Sequence, residues 1–392
     1  MIEFVRPLQT LLKIKPVTST DLVWQLHCRV TVYLLLFATL LLSAQQYFGK
    51  PIECVTGGGQ VTASTMNDFC WIMGTYISKD PNFVLDSTDL VKISSKIGHI
   101  PEEERSYQKY YQWVVFILAI QAALFTLPNL LWKIWEAGRL QALCEGLTTP
   151  LLPDQWKQNS QKKLVAYLSN HCPQLYRSYV VRYCFCMLLN FCNVLLNISL
   201  VNTIFSGFWM NYQPAVRALL AFDFPAWNRY NSQVFPKLAK CDFHFIGPSG
   251  SKQNRDALCL LSLNVVNEKI FAFLWVWFIV LAVASALNLL FWMALLCSKS
   301  LRVWLLTSQL QLIRPAVVAR ALQSQGLGKW FLLYQLSRNL NPLVSRELVL
   351  SISRLNSNNL KTYRKPTGGD PDFFTIDATG EMLEEEEDEV DV

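Results

Sequence analysis

YYQWVVFILAIQAALFTLPNLLWK, running from Tyr110 to Lys133, decides the class of fold. The run is almost wholly apolar, opens on two tyrosines and Trp113, and closes on Trp132 and Lys133. A helix needs about 20 apolar residues to cross the hydrocarbon core of a bilayer, and aromatic rings settle at the headgroup level on either side. The stretch therefore reads as a membrane span over 110–135. Three more runs share its character: Val30 to Phe48, Val181 to Met210 and Ile270 to Cys297. Each is long enough to cross, and none has enough polar residues around it to stay in water. The first starts late and is followed by no small-residue cleavage site, so it reads as a span and not as a signal peptide. Composition agrees: of 392 residues, 52% are apolar and only 16% charged, with mean hydropathy +0.23, which excludes an ordinary soluble domain.

Four spans place both termini on one side. Whole-loop totals of Lys and Arg do not choose the side, but Arg29, Lys133, Arg139, Arg177, Arg182, Lys299 and Arg302 all lie beside one set of span ends. That set is expected to be cytoplasmic. The layout is then a cytoplasmic N-terminal segment 1–29, spans 30–48, 110–135, 181–210 and 270–297, outer loops 49–109 and 211–269, a cytoplasmic loop 136–180, a helical C-terminal region 298–355 and a tail 356–392. The tail ends in EEEEDEVD, Glu384 to Asp391, and reads as disordered and solvated, with a cation or partner site as the other reading.

Two cysteines fall in each outer loop, Cys54 and Cys70 in the first, Cys241 and Cys259 in the second. Outside the cell an even set reads as a disulfide framework, with three pairings open. Cys28, Cys144, Cys172, Cys184, Cys186, Cys192 and Cys297 read as small buried hydrophobes or reduced thiols, with acylation the alternative for Cys28 and Cys297. Both outer loops are long and rich in aromatics, which suggests a compact ectodomain. Gly247-Pro248-Ser249-Gly250 lacks the strand-to-helix setting of a phosphate loop and reads as a turn.

Several activities find no residues here. No span carries a central Asp, Glu, Lys or Arg for a proton relay or voltage sensor. His99 and His244 lack a second ligand at metal spacing, and no nucleophile and base pairing stands out. An enzyme, a metal, a cofactor and a nucleic-acid partner are therefore not expected. Asn190, Asn193 and Asn197 share one face of the third span, as interhelical hydrogen-bonding groups or as the wall of a water-facing pathway. Asn197-Ile198-Ser199 matches a glycosylation pattern at a depth that precludes its use. After the fourth span, LLTSQLQLI, VVARALQ and KWFLLYQLSRNL keep a helical rhythm, and Asn341-Pro342 reads as a cap and first position of a last helix. With Leu164, Tyr167 and Leu168 of the 136–180 loop, these helices are expected to pack as a cytoplasmic cap.

Tyr110-Tyr111-Gln112-Trp113-Val114 resembles the signature of the innexins, and the likeness extends through Pro128 and Trp132-Lys133. Tyr47-Phe48-Gly49, Pro51-Ile52-Glu53-Cys54 and Leu263 to Lys269 (LNVVNEK) also resemble that family, particularly its insect members, and the likeness covers about 1–350. One departure is Val115, where the family carries proline; a proline there is expected to remove a helical hydrogen bond and bend the span. The resemblance implies an all-α membrane protein: a four-transmembrane-helix bundle subunit with disulfide-stapled extracellular loops containing some β structure and a helical cytoplasmic domain. It implies bridges Cys54 to Cys259 and Cys70 to Cys241. It implies a gap junction channel at the plasma membrane, built as a hexameric or octameric ring of this chain alone or with other innexins, surrounded by lipid and docked to a ring on a neighbouring cell. By the same analogy Met1 to Ser19 form a funnel in the pore. Glu3, Arg6 and Glu53 are candidate pore-lining charges, with a local ion pair as the alternative for each. Ions and small solutes would pass by diffusion, selected by pore width and charge. The alternatives are an undocked hemichannel releasing small molecules and a non-conducting four-span adhesion protein.

Overall fold

The computed structural model describes residues 17–55, 62–78, 100–145, 147, 154–169, 173–205, 207–310, 313–323 and 326–363. Glu3, Arg6, His99, Cys172 and the acidic run Glu384 to Asp391 lie outside them. In chain order the helices are α1 (Leu22–Tyr47), α2 (Ala63–Met73), α3 (Val114–Glu136), α4 (Arg139–Cys144), α5 (Asp154–Ser169), α6 (Pro173–Ile204), α7 (Phe208–Leu220), α8 (Phe224–Val234), α9 (Ser262–Cys297), α10 (Lys299–Leu310), α11 (Pro315–Gln323), α12 (Leu327–Asn339) and α13 (Pro342–Tyr363). The fold is the mostly helical, four-span kind expected. Helices α1, α3, α6 and α9 are long and apolar enough to cross a membrane, and only 33 to 39% of each apolar window is buried within the chain. The remaining faces need lipid or a neighbouring subunit to cover them.

Helix bounds depart from the hydropathy runs where polar residues continue a helix or a glycine stops it. Helix α6 starts at Pro173, a residue suited to a first helical position, and ends at Ile204 short of Met210. The chain turns there at Gly207 (φ 92°), a backbone angle that favours glycine. Helix α13 runs past 355 to Tyr363, because the next helix breaker in the sequence is Pro366.

Two compact units divide the chain: Leu22–Pro128 with Leu189–Ala286, and Met1–Asp21 with Asn129–Leu188 and Leu287–Val392. The first holds a five-stranded antiparallel sheet, order β1-β5-β4-β2-β3, from β1 (Glu53–Val55), β2 (Thr75–Ser78), β3 (Arg105–Gln108), β4 (Leu238–Ile246) and β5 (Lys252–Leu260). Gly247 to Gly250 turn between β4 and β5, closed by Gly250 N to Gly247 O at 2.9 Å, so two strands flank them.

Membrane spans of this unit show how a backbone carbonyl is satisfied away from water. Pro128 sits inside α3 and has no N–H, so the Leu124 carbonyl four residues earlier loses its helical donor. Asn193 of α6 replaces it, donating through Nδ2 to Leu124 O at 3.2 Å. Asn197 Nδ2 in turn donates to Asn193 O (2.8 Å) and Oδ1 (3.1 Å). Asn190, Asn193 and Asn197 are all buried, which does not fit a water-facing wall, and Asn193 makes the bond between helices while Asn197 bonds within its own. In α1, a π turn over Leu26–Thr31 is held by the Thr31 hydroxyl, which donates to Leu26 O at 2.8 Å and accepts from Trp277 Nε1 at 3.0 Å. His27 Nε2 lies 2.6 Å from Ser285 Oγ, a further buried polar pair between α1 and α9.

Val115 calls for a correction. It is the second residue of α3, and the first bond onto that helix runs from Ile117 N to Trp113 O at 3.0 Å. The N–H of Val115 is one of the first-turn donors that no helical carbonyl serves, so a proline there would remove no hydrogen bond and bend nothing.

The second unit packs α4, α5 and α10–α13 with the adjoining ends of α3, α6 and α9. Trp132, Tyr179, Tyr183, Trp292 and Phe331 stack at ring distances of 4.9 to 5.6 Å in its core. Leu164 and Leu168 are buried where α5 meets α13. Gly328 lets α12 approach α6 so closely that any Cβ would collide with the Tyr176 backbone. Asn341 Oδ1 accepts from Leu343 N at 3.0 Å, the cap expected before Pro342.

Replacing Asn193 with Leu should lower stability by about 1–2 kcal/mol, the loss from leaving a buried carbonyl unpaired. In a Pro128→Ala background the same change should cost much less, since the alanine restores a backbone N–H that can donate to Leu124 O. Thermal unfolding of the four detergent-purified variants measures this coupling, and strictly additive losses would refute the Leu124–Asn193 replacement.

Candidate functional site

Strands from two separate inter-span segments share the sheet, and two covalent bridges join the same segments. Cys54 of β1 stands opposite Cys259 of β5 in the strand register, and the two are disulfide-bonded. Cys70 of α2 is bonded to Cys241 of β4. The sulfurs of Cys54, Cys70 and Cys259 lie within 4.8 Å of one another, so the two bridges touch. Bonded sulfurs offer no thiolate, so this cluster is not a metal site. Loops of 171 and 205 residues are closed by these bonds, the range in which a disulfide removes most freedom from the unfolded chain.

Polar contacts lock the far side of the sheet. Arg105 of β3 is buried, its Nη1 is 3.0 Å from Asp242 Oδ2 of β4, and its guanidinium lies 4.5 Å from the centre of the Tyr76 ring of β2. Tyr76 donates its hydroxyl to Asp242 Oδ1 at 2.7 Å. Burial, then the bond to Asp242, push the Tyr76 phenol far above its usual range, so it stays a donor.

The Tyr110–Gln112 turn ahead of α3 is a packing hub. Tyr110 contacts Phe205 and Phe235 at 5.1 and 6.0 Å and donates to Val234 O at 3.3 Å. Tyr111 is buried against Trp71 at 4.8 Å, and Gln112 Nε2 donates to Trp71 O. Trp113 is 62% exposed, where a membrane-interface ring belongs.

LNVVNEK opens α9 and hides a carboxylate. Glu268 is fully buried, pairs with Lys237 at 3.3 Å and with Lys269, and accepts from Asn231 Nδ2. Tyr212 donates towards the Glu268 carbonyl at 2.9 Å and Asn231 Oδ1 at 3.0 Å. Burial, and next the Glu268 charge, drive the Tyr212 phenol upward. Asn264 Nδ2 donates to Pro236 O at 2.9 Å and Oδ1 accepts from Asn267 at 3.2 Å. Sequence alone gave no reason to bury Glu268, because its partners Asn231 and Tyr212 stand 37 and 56 residues earlier in the chain. Without them a buried carboxylate would be prohibitively costly.

A family model described as Innexin matches residues 20–355. The chain belongs to the innexin family. It is 72% identical over 376 residues to Innexin inx4 of Anopheles gambiae, covering 96% of this chain and 97% of that one. It is 38% identical over 347 residues to Innexin inx4 of Drosophila melanogaster (88% and 94% covered) and 37% identical over 344 residues to Innexin inx2 of the same fly (88% and 93%). Innexins are subunits of gap junction channels, multi-pass membrane proteins that assemble with other innexins. Membership therefore supports the channel, and does not favour the undocked or the adhesion reading.

In this innexin the segment just before α1 is anchored on the helical unit. Thr18 and Asn339 exchange two hydrogen bonds, Thr18 N to Asn339 Oδ1 at 2.7 Å and Asn339 Nδ2 to Thr18 O at 3.0 Å. Asp21 accepts from Arg338 Nη1 and Trp292 Nε1, each at 2.9 Å, and Ser19 Oγ accepts from Trp132 Nε1 at 3.0 Å. Nearby, burial and then the Glu136 carboxylate push the Cys144 thiol up to about 12, which leaves it protonated and inert. Among the expected pore-lining charges, Glu53 lies on β1 with an exposed side chain 3.0 Å from Lys50 Nζ; Glu3 and Arg6 lie outside the described residues.

Glu268→Ala should destabilise the protein by about 1–3 kcal/mol, because the buried Asn231 amide loses its acceptor, whereas Glu53→Ala at its exposed pair should change stability by less than about 1 kcal/mol. Equal midpoints of thermal unfolding for both variants would contradict the buried network. Arg338→Ala should speed hydrogen exchange at the amides of Thr18 to Asp21, and unchanged exchange there would rule out the anchor.

Proposed function

We propose that this innexin docks to an opposing subunit on a neighbouring cell through the five-stranded sheet, with its termini, the 136–180 loop and the 298–355 region in the cytoplasm. One observation carries the reading: both disulfides run between the two inter-span segments, none within one, so the segments act as one rigid face. The positive residues beside the corresponding span ends support the same orientation. Subunits form a ring of six or eight, alone or with other innexins. The N-terminal residues ahead of the anchored Thr18–Asp21 segment enter the pore as a funnel, and Glu3, Arg6 and Glu53 line it. Tyr110, Tyr111, Gln112, Trp113 and Pro128 keep the span that starts at the docking face in place. Transport needs no cofactor and no chemical step, so selectivity follows from width and lining charge.

Paired cells expressing Cys54→Ser or Cys70→Ser should lose junctional conductance and dye transfer while surface biotinylation persists. Normal coupling by a surface-expressed variant would refute the stapled docking face. A C-terminal tag should be stained only after permeabilisation. Glu53→Gln should shift the reversal potential in a salt gradient toward lower cation preference, and an unmoved potential would remove Glu53 from the pore.

A further inference from the structure

Within the helical unit, α10, α11 and the first turn of α12 enclose a cavity of about 1030 Å³ that the channel does not use. Lys299 and Arg302 bring two positive charges to it, and among the described residues no carboxylate lines it. Trp304, Leu322 and Leu327 supply its apolar wall, with Trp304 61% exposed. An apolar cavity carrying charge of one sign only is matched by an amphiphile with an anionic head.

Chain continuity brings the cavity close to the end of an apolar run. Helix α10 follows the apolar α9 with one residue between, Ser298 N bonding to Ala294 O at 2.9 Å. Lys299 and Arg302 come two and five residues after Cys297. The headgroup layer is about 5–8 Å deep on each side of the hydrocarbon. Both cations therefore follow the apolar run closely enough for their long side chains to reach that layer. Arg302 is also held in place: Nε donates to Ser298 O at 3.3 Å, its guanidinium lies 5.9 Å from the Trp330 ring, and Trp330 Nε1 donates to Arg302 O at 3.4 Å.

We propose that this cavity binds one anionic phospholipid of the inner leaflet, its phosphate on Lys299 and Arg302 and an acyl chain against Trp304, Leu322 and Leu327. The proposal rests on the cytoplasmic placement of this unit given above, since that leaflet is the anionic one. Binding in detergent does not depend on that placement, so the two fail separately.

The test is native mass spectrometry of the detergent-purified, full-length assembly titrated with dioleoyl phosphatidylserine, dioleoyl phosphatidylcholine, and the soluble headgroup glycerophosphoserine. The serine lipid should bind about tenfold more tightly than the choline lipid, and the headgroup alone should not bind in the same range. Lys299→Glu, at an exposed position, should abolish that preference, and Leu327→Glu should weaken both lipids with the ring intact. Equal affinity for the two lipids, equal binding of the bare headgroup, or a preference untouched by Lys299→Glu would overturn the proposal. So would rings that fall apart in both variants, because a neighbouring subunit would then be the occupant.

Discussion

A peptide carbonyl inside a bilayer has no water to turn to, and this constraint shapes the spans more than their apolar content does. At Leu124 the constraint is visible as a single bond. Pro128 withdraws the helical donor, and Asn193 of another span must restore it. The exchange ties α3 to α6 at one height and one rotation, which general oiliness between helices could not do. Thr31 and Trp277 perform a similar service at the π turn of α1, where the helix ladder changes its step.

The sheet unit answers the opposite problem, how to keep two separate segments rigid as one body. Three of its five strands have only three or four residues, so pairing alone would be marginal. Touching disulfides fix one edge, and Arg105, Tyr76 and Asp242 fix the other. Glu268, fully desolvated, joins α8 and α7 to the start of α9. Buried pairs of this kind are weak sources of stability compared with apolar packing, yet they favour one arrangement of the elements they join.

Much of this is legible in the residues. Four runs of apolar sequence announce four spans, Asn341-Pro342 marks the start of α13, and the family likeness supplies the disulfide pairing that spacing leaves open. Other features are out of reach. Asn193 can be placed on a helix face, but its partner carbonyl becomes available only through a proline in a different span. Glu268 looks like an ordinary interfacial charge until Lys237, Asn231 and Tyr212 fold around it. At Val115 a local rule misleads without the helix start: the same proline that breaks a helix interior is harmless in its first turn. Hydropathy likewise overruns Ile204, because Phe208, Trp209 and Met210 are as apolar as the span they follow.

Both disulfides reach from the first inter-span segment to the second, with 205 and 171 residues between the partners. During biosynthesis, then, neither native bond can close until the third span has been threaded and the ribosome has passed Cys241. Cys54 and Cys70 emerge together long before that and have only each other to react with. Correct assembly therefore calls for a period of protected thiols or for a thiol–disulfide reshuffle once Cys259 arrives, and the close grouping of the sulfurs gives that exchange a short path. Maturation of the stapled sheet is in this sense set by the order in which the chain is made.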